Sequence, residues 1–256
     1  MYAAESLIAE SLWLRAAAGL VLGAIAGSFA ATIFVRWPER RSVMRGRSRC
    51  DMCHAPLGAR DLVPIVSFFA ARGMCRRCGA AIDPRHIVVE LAAAALGMLA
   101  LVAHGGWLGL VGALLGWWLL LIALLDLQYQ WLPDRLTLPL VPLGLAAAWA
   151  GLGPPLLDAA IGAAAGYTVL WLIAFLYRRL RGREGMGGGD PKLFAAIGAF
   201  LGWQQLPLVM VGAGLLGLFA LLLMRARGKA VSRLDRLPLG TLMAIAAWPV
   251  WLIAQG

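Results

Sequence analysis

Long apolar stretches separated by polar connections dominate this 256-residue chain. A transmembrane helix needs about 17–25 mainly apolar residues to cross the hydrocarbon core, and most of the stretches approach that length. The pattern therefore predicts an all-α, polytopic membrane protein with about eight transmembrane helices. The apolar stretches cover residues 12–35, 87–103, 107–125, 136–150, 158–176, 191–203, 207–224 and 237–254.

Composition agrees with this pattern, because 61% of the residues are hydrophobic, more than an ordinary soluble protein carries. The first stretch follows Glu5 and Glu10 and has no clear small-residue cleavage site after it. We therefore expect a retained first helix, in place of a removed signal peptide.

The basic residues predict the orientation. Of the 23 Lys and Arg residues, 22 lie in four loops that eight helices would place on one side: 36–85, 135, 178–192 and 225–236. The opposite loops contain none. The positive-inside rule makes the basic side cytoplasmic and both termini external. We attribute the net charge of +10 to topology and to contact with membrane lipid, and predict no nucleic-acid partner.

The polar segment 37–86 contains all four cysteines of the chain, as two Cys-x2-Cys pairs. Two such pairs are typical of a closed, structural zinc site, and a reducing cytoplasmic loop disfavours disulfides. Redox-active or free thiols remain alternatives, and His54 is expected to be a bystander. The predicted organisation is a first helix at 1–36, a zinc-binding loop at 37–86 and a seven-helix membrane domain at 87–256. The proposed ligands are Cys50, Cys53, Cys75 and Cys78.

Two acids stand beside apolar stretches, where an ionisable group usually has a function. Asp126 ends the stretch at 107–125, and Asp190 follows a glycine-dense loop and precedes the stretch at 191–203. Both are expected on the cytoplasmic face. Two carboxylates that share a proton could activate water. The dipoles of their own helices favour Asp190 as base and Asp126 as acid, whereas the simplest structural role of Asp190 is a helix N-cap.

Two other acids have competing interpretations. Glu90 lies near the start of its predicted helix, where it could stabilise the helix end or contact a cationic substrate. Asp134 follows a proline and is expected to cap a helix more than to catalyse.

The stretch at 191–203 is short, about 20 Å long at 1.5 Å per residue, which would leave Asp190 below the membrane surface.

In this order along the chain, several motifs resemble those of the bacterial type IV prepilin peptidases. The motifs are Gly27-Ser28-Phe29, the paired Cys-x2-Cys loop, Pro84-Arg85 with Glu90, Asp126 with Leu132-Pro133-Asp134, and Gly187-x-Gly189-Asp190-x-Lys192-Leu193. The resemblance covers nearly the whole chain. It implies an aspartic membrane endopeptidase of the bacterial inner membrane with a cytoplasmic catalytic face.

The resemblance also implies the substrates and the site. The enzyme would cut the short basic leader of prepilins or type II secretion pseudopilins after glycine, with Asp126 and Asp190 as catalytic residues. Gly187, Gly189, Lys192 and Glu90 would bind substrate or support the loop. Many members then methylate the new N-terminus with S-adenosylmethionine, an activity tied to the cytoplasmic loop.

Three departures from the family pattern are visible: Ala30-Ala31 after the first motif, Asp51-Met52 between the first two cysteines, and Thr241 where a proline commonly follows glycine. The first two bear on methylation and leave the peptidase assignment standing. Two other functional classes remain open. One is an ion- or proton-coupled transporter that uses Asp126 and Asp190, and the other is a zinc-stabilised assembly protein that binds pilins without cutting them.

Overall fold

The computed structural model describes residues 12–38, 48–50, 52–228 and 237–255. The acidic N-terminus with Glu5 and Glu10 lies outside the described residues, as does most of the basic loop at 225–236.

The described residues form α-helices and contain no β-strand. Eight of the helices have at least 12 residues, and each coincides with one predicted apolar stretch. They are α1 (Leu12–Arg36), α3 (Pro84–Ala103), α4 (Gly106–Tyr129), α5 (Asp134–Trp149), α6 (Leu156–Arg181), α7 (Asp190–Leu201), α8 (Leu206–Ala226) and α9 (Leu239–Ala254), with the five-residue α2 at Val66–Ala70. Short 3-10 helices lie at Ala59–Asp61 and Trp203–Gln205.

Within the described residues, five helices are long and apolar enough to cross a membrane: α1, α3, α4, α6, and α8 extended by the 3-10 turn before it. The predicted all-α membrane fold is confirmed. The count of eight spanning helices stays a prediction, because α5, α7 and α9 have only 16, 12 and 16 residues.

The chain divides into two compact units, Met1–Trp117 and Trp118–Gly256, with the boundary inside α4. In the first unit, α1 packs closely against α3 through a face of small residues. A Cβ on Gly19 would lie 2.4 Å from the carbonyl oxygen of Gly97, and one on Gly23 would lie 2.3 Å from that of Ala93. These glycines therefore let the two backbones touch.

In the second unit, α7 is enclosed by its neighbours. Eleven of its 12 residues are buried, and Lys192 is the exception. Its backbone lies against α6, where a Cβ on Gly162 would be 2.4 Å from the carbonyl oxygen of Gly198. It also lies against α5, where a Cβ on Gly144 would be 2.8 Å from the side chain of Ala199. Because neighbouring helices cover it, α7 can be short without exposing backbone groups to lipid.

Candidate active site

Asp126 lies in the last turn of α4 and is 5% exposed. Its Oδ2 accepts a hydrogen bond from the backbone N–H of Thr241 at 2.7 Å and lies 3.1 Å from the Thr241 hydroxyl. The backbone N–H of Gly240 also interacts with this carboxylate. Gly240 and Thr241 belong to the first turn of α9, whose N–H groups have no partner within their own helix. The carboxylate of Asp126 thus occupies the N-terminus of another helix.

Asp190 is the first residue of α7 and is also 5% exposed. The predicted N-cap role is wrong by one position, since Gly189 is the N-cap and no side chain caps the helix. The carboxylate instead turns back towards the glycine loop, where its Oδ2 accepts the backbone N–H of Gly187 at 3.0 Å. The backbone N–H of Asp190 is bonded to the carbonyl oxygen of Gly187 at 3.3 Å. Asp190 and Gly187 therefore close a tight turn.

The two aspartates lie close enough for their carboxylates to interact electrostatically. Gly189, which precedes Asp190, and Gly240, which lies beside Asp126, both contact the side chain of Leu132, from the connection between α4 and α5. A Cβ on Gly189 would lie 2.5 Å from the Leu132 Cβ, and a Cβ on Gly240 would lie 2.9 Å from the Leu132 Cδ1. Glycine is thus required on both sides of one leucine, which brings the segment before Asp190 and the segment that holds Asp126 together.

Lys192 and Asp134 form an ion pair, with the Lys192 Nζ 2.6 Å from the Asp134 Oδ1. Asp134 is the first residue of α5, so its predicted capping role is also wrong: Pro133 is the N-cap, and the carboxylate pairs with Lys192 instead of a backbone N–H. The pair joins the N-termini of α5 and α7. Both side chains remain partly exposed, at 56% for Asp134 and 28% for Lys192.

The first unit holds a cluster of the four cysteines, whose Sγ atoms all lie within 4.8 Å of one another. The Sγ atoms of Cys50 and Cys78 are 3.8 Å apart. A tetrahedral zinc ion with bonds of about 2.3 Å to sulfur would place its ligands about 3.8 Å apart. The four side chains therefore fit a single metal ion of that size.

The two cysteine pairs have the same backbone geometry. In each, the N–H four residues after the first cysteine donates to its carbonyl oxygen, from His54 to Cys50 and from Gly79 to Cys75. Both donors have positive φ, 54° at His54 and 71° at Gly79. His54 thus has a backbone role and does not belong to the sulfur cluster, as predicted.

The thiols of the cluster differ in acidity. Backbone N–H groups of Arg77 and Cys78 lower the pKa of the Cys75 thiol to about 6. The N–H of Ala80 lowers the pKa of Cys78, but desolvation and the neighbouring thiols outweigh it and raise that pKa to about 11. Several thiolates cannot form this close together without a cation, so a bound metal ion would stabilise the fully ionised cluster.

Glu90 lies in the second turn of α3 and is 8% exposed. Its Oε2 accepts the backbone N–H of Ile65 at 2.7 Å. Ile65 has a φ of 62°, a strained value for a β-branched residue. Glu90 also lines a cavity of about 210 Å³ together with residues of α1 and of both cysteine pairs, among them Ser28, Thr32, Cys50 and Cys75.

Comparison with known proteins identifies the family. A model of the type IV leader peptidase family matches residues 113–222, and a model of the bacterial Peptidase A24 N-terminal domain matches residues 21–104. A prepilin leader peptidase/N-methyltransferase of Aeromonas salmonicida is 43% identical over 212 residues, which cover 82% of this chain and 72% of the relative. The chain belongs to the type IV leader peptidase family.

Other relatives of the leader peptidase family carry the same name. The protein of Neisseria gonorrhoeae is 37% identical over 212 residues, covering 82% of this chain and 72% of the relative. That of Pseudomonas putida is 35% identical over 252 residues, covering 89% and 87%. No solved structure gives a significant match. The predicted family is confirmed, and the transporter alternative finds no support.

In this family member the structure brings Asp126, Asp190, Gly187 and Gly189 together, and it places Lys192 two residues beyond Asp190 on the rim. Glu90 belongs to the other unit, with the cysteines. The hydrogen bonds of Thr241 to Asp126 were not predicted from the sequence, where Thr241 stood out only as a missing proline. The available signal was chemical: proline has no N–H, so a threonine after Gly240 adds two donors at the start of an apolar helix.

Proposed function

We propose that this chain cleaves the short basic leader of type IV prepilins or type II secretion pseudopilins after a glycine, with Asp126 and Asp190 as the catalytic residues. The observation that carries the proposal is the pair of buried, interacting carboxylates, with Asp190 held by the backbone N–H of Gly187 in its own loop and Asp126 by that of Thr241 at the start of α9. Relatives named prepilin leader peptidases support the substrate class.

We propose acid and base roles opposite to those inferred from the sequence. The helix dipoles take account only of the helix to which each aspartate belongs. Asp126 also accepts from Thr241 and Gly240 at the N-terminus of α9, whereas Asp190 accepts from Gly187 alone. Donors stabilise a carboxylate. Asp126 is therefore the better base, and Asp190 holds the shared proton.

The reaction follows from these roles. Asp126 removes a proton from a water molecule while the water oxygen attacks the carbonyl carbon of the scissile bond. Asp190 gives its proton to the carbonyl oxygen, which produces a tetrahedral diol. The bond between carbon and nitrogen then breaks: Asp126 gives its proton to the leaving nitrogen, and one hydroxyl of the diol returns a proton to Asp190 as its oxygen becomes the carbonyl oxygen of the new acid. One water is consumed and both aspartates return to their starting state, which is general acid–base catalysis by a carboxyl dyad.

The remaining motif residues support the dyad. Gly187 supplies the N–H that holds Asp190, and Gly189 allows Leu132 to approach. Lys192 ties α7 to α5 through Asp134. All three residues therefore support the loop that holds the dyad.

We also propose the predicted orientation. The chain lies in the bacterial inner membrane with both termini external, and the basic loops and the dyad face the cytoplasm. The division into a first helix at 1–36, a metal-binding loop at 37–86 and a membrane domain at 87–256 belongs to this proposal, as does contact of the exposed apolar helix faces with lipid.

The direct test uses the full-length protein in detergent and a precursor peptide with a basic leader, a glycine and an apolar N-terminal segment. Mass spectrometry should detect two products cut after the glycine. A peptide whose glycine is replaced by a bulky residue is the matched control and should stay intact. An uncut glycine-containing precursor would refute the peptidase proposal.

The cysteine cluster is proposed to hold one structural zinc ion. Bound zinc would staple the two cysteine pairs, with Cys50, Cys53, Cys75 and Cys78 as ligands. Elemental analysis of the purified protein should give one zinc per chain, falling to nearly none in Cys53→Ser, whereas the control His54→Asn should retain it. Full zinc content in Cys53→Ser would contradict this ligand set.

A second candidate function, N-methylation of the new N-terminus, is favoured by the cavity beside the cysteine cluster. Its carboxylates and arginines, Glu90, Asp83, Arg49 and Arg76 among them, suit a zwitterionic ligand such as the amino-acid end of S-adenosylmethionine. When bound, S-adenosylmethionine would supply the methyl group. The volume of about 210 Å³ lies below the roughly 300–1,000 Å³ of complete ligand pockets, so the ligand would be only partly enclosed.

Glu90 lies in the cavity wall near the start of α3, where its charge can attract a sulfonium or an ammonium group. Calorimetric titration of the full-length protein with S-adenosylmethionine should show binding that weakens in Glu90→Gln. Cleavage of the precursor should continue in this variant, because Glu90 lies outside the dyad. No binding by the wild-type protein would refute this second function and leave the peptidase proposal intact.

A further inference from the structure

The Thr241 hydroxyl has two acceptors within reach and only one proton to donate. Its Oγ1 lies 2.9 Å from the carbonyl oxygen of Ala123 and 3.1 Å from the Oδ2 of Asp126. The residue is 4% exposed, so water has little access to it. The hydroxyl therefore donates to one of these two oxygens at a time.

We propose that Thr241 is a positioning residue for Asp126, one that fixes which carboxylate oxygen reacts and whose hydroxyl changes acceptor as the charge on Asp126 changes. This inference rests on the proposed peptidase function. It concerns the environment of one aspartate and adds no group that touches the substrate.

The choice of oxygen follows from the donors. Oδ2 of Asp126 accepts the backbone N–H of Thr241 and lies within reach of its hydroxyl. An oxygen that faces these donors has little room for a proton of its own. The proton from the attacking water therefore goes to Oδ1, and the N–H of Thr241 holds the carboxylate in one orientation throughout.

The change of acceptor follows from the charge. While Asp126 is ionised, its Oδ2 is a stronger acceptor than a backbone carbonyl, so the hydroxyl donates to it. After Oδ1 takes a proton, Oδ2 becomes an ordinary carbonyl oxygen and the hydroxyl returns to Ala123. The hydroxyl thus satisfies both charge states with a rotation of one bond, and no buried donor is left without a partner in either state.

The arrangement depends on threonine at position 241. Proline there would offer neither an N–H nor a hydroxyl. Valine has the shape of threonine and keeps the N–H, so Thr241→Val removes the hydroxyl alone. Serine keeps the hydroxyl and removes only a methyl group.

The test compares steady-state cleavage of the precursor by four full-length proteins: wild type, Thr241→Val, Thr241→Ser and Thr137→Val. Thr137 is a matched control, since it is fully buried in α5 and its hydroxyl is bonded only at 3.4 Å to the carbonyl oxygen of Pro133. The kcat of Thr241→Val should fall about tenfold or more with KM within about twofold, because a hydrogen bond to a charged group is lost. Thr241→Ser should restore kcat to within about threefold, and Thr137→Val should match the wild type.

Thermal unfolding of each variant separates positioning from folding. Thr241→Val and Thr137→Val should unfold at similar temperatures. A kcat for Thr241→Val within twofold of wild type would overturn the inference, as would equal losses in Thr241→Ser and Thr241→Val. Neither result would affect the proposed peptidase activity, which fails if the wild-type protein leaves the precursor uncut.

Discussion

Gly189→Ala should damage the site through Leu132. The added Cβ would lie 2.5 Å from the Leu132 Cβ and 3.2 Å from its carbonyl oxygen. Carbon atoms in contact normally stay about 3.5–4.0 Å apart, so one segment has to move by about 1 Å. The Leu132 side chain also lies against Gly240, beside the carboxylate of Asp126. The movement therefore changes the position of one aspartate relative to the other.

The cost can be stated for both stability and rate. Overpacking of a buried contact costs about 1–3 kcal/mol, and a displacement of about 1 Å at a reacting group can cost about 100-fold in rate. We expect Gly189→Ala to unfold at a lower temperature and to cleave the precursor about 100-fold more slowly. Thermal unfolding in detergent and single-turnover cleavage measure the two effects separately.

Gly188→Ala is the matched control, one residue away in the same loop. Nothing lies within 4 Å of the Cβ position there, so the substitution should change neither the unfolding temperature nor the rate by more than about threefold. Full activity in Gly189→Ala would refute the packing argument. Equal loss in both variants would indicate that the loop needs flexibility or substrate access at each glycine, and not the contact with Leu132.

Two further predictions concern charged contacts. Lys192→Met and Asp134→Asn should each lower the free energy of unfolding by only about 0.2–1 kcal/mol, because the ion pair is partly exposed. The double variant should lose no more stability than either single variant. Additive losses would show that the two side chains do not interact. The Asp83 carboxylate caps α3 by accepting the backbone N–H of Arg85. It also accepts a hydrogen bond from the Arg85 side chain, which is the main cause of the lowered pKa of Asp83. Asp83→Ala should therefore cost about 1 kcal/mol at neutral pH. Because its pKa is lowered, Asp83 contributes its full stabilisation above the ordinary aspartate pKa of about 3.9 and loses it at lower pH. In thermal unfolding, the stability difference between wild type and Asp83→Ala should therefore shrink as the pH falls below about 4. A stability difference that stays constant down to pH 3 would contradict the assignment.

The pattern of apolar stretches was sufficient to predict the helices, because each long run of apolar residues has few alternatives to a helix in a membrane. It could not predict that α7 would be enclosed by other helices, since burial of a short helix depends on which neighbours surround it. The spacing of the cysteines was equally informative. Two Cys-x2-Cys pairs in one loop predicted a single four-sulfur site, and the four Sγ atoms do lie within 4.8 Å of one another.

The environment of the two aspartates could not be predicted from the sequence. Thr241 lies 115 positions after Asp126, so no local pattern connects them. The acid and base assignment from the sequence used only the helix to which each aspartate belongs and therefore omitted the N-terminus of α9. Glu90 gives a similar lesson, since its partner is the backbone of Ile65, 25 positions earlier, in a conformation that no propensity favours.

The central claim is that Asp126 and Asp190 act together on the peptide bond. The most direct measurement is single-turnover cleavage of the precursor by Asp126→Asn and Asp190→Asn, with unfolding temperature and zinc content recorded for each protein and Glu90→Gln as a folded control. Each Asn variant should lose at least about 1,000-fold in rate, comparable to the loss of a general acid or base, and the double variant should lose little more. Cleavage at the wild-type rate by either folded Asn variant would contradict the account.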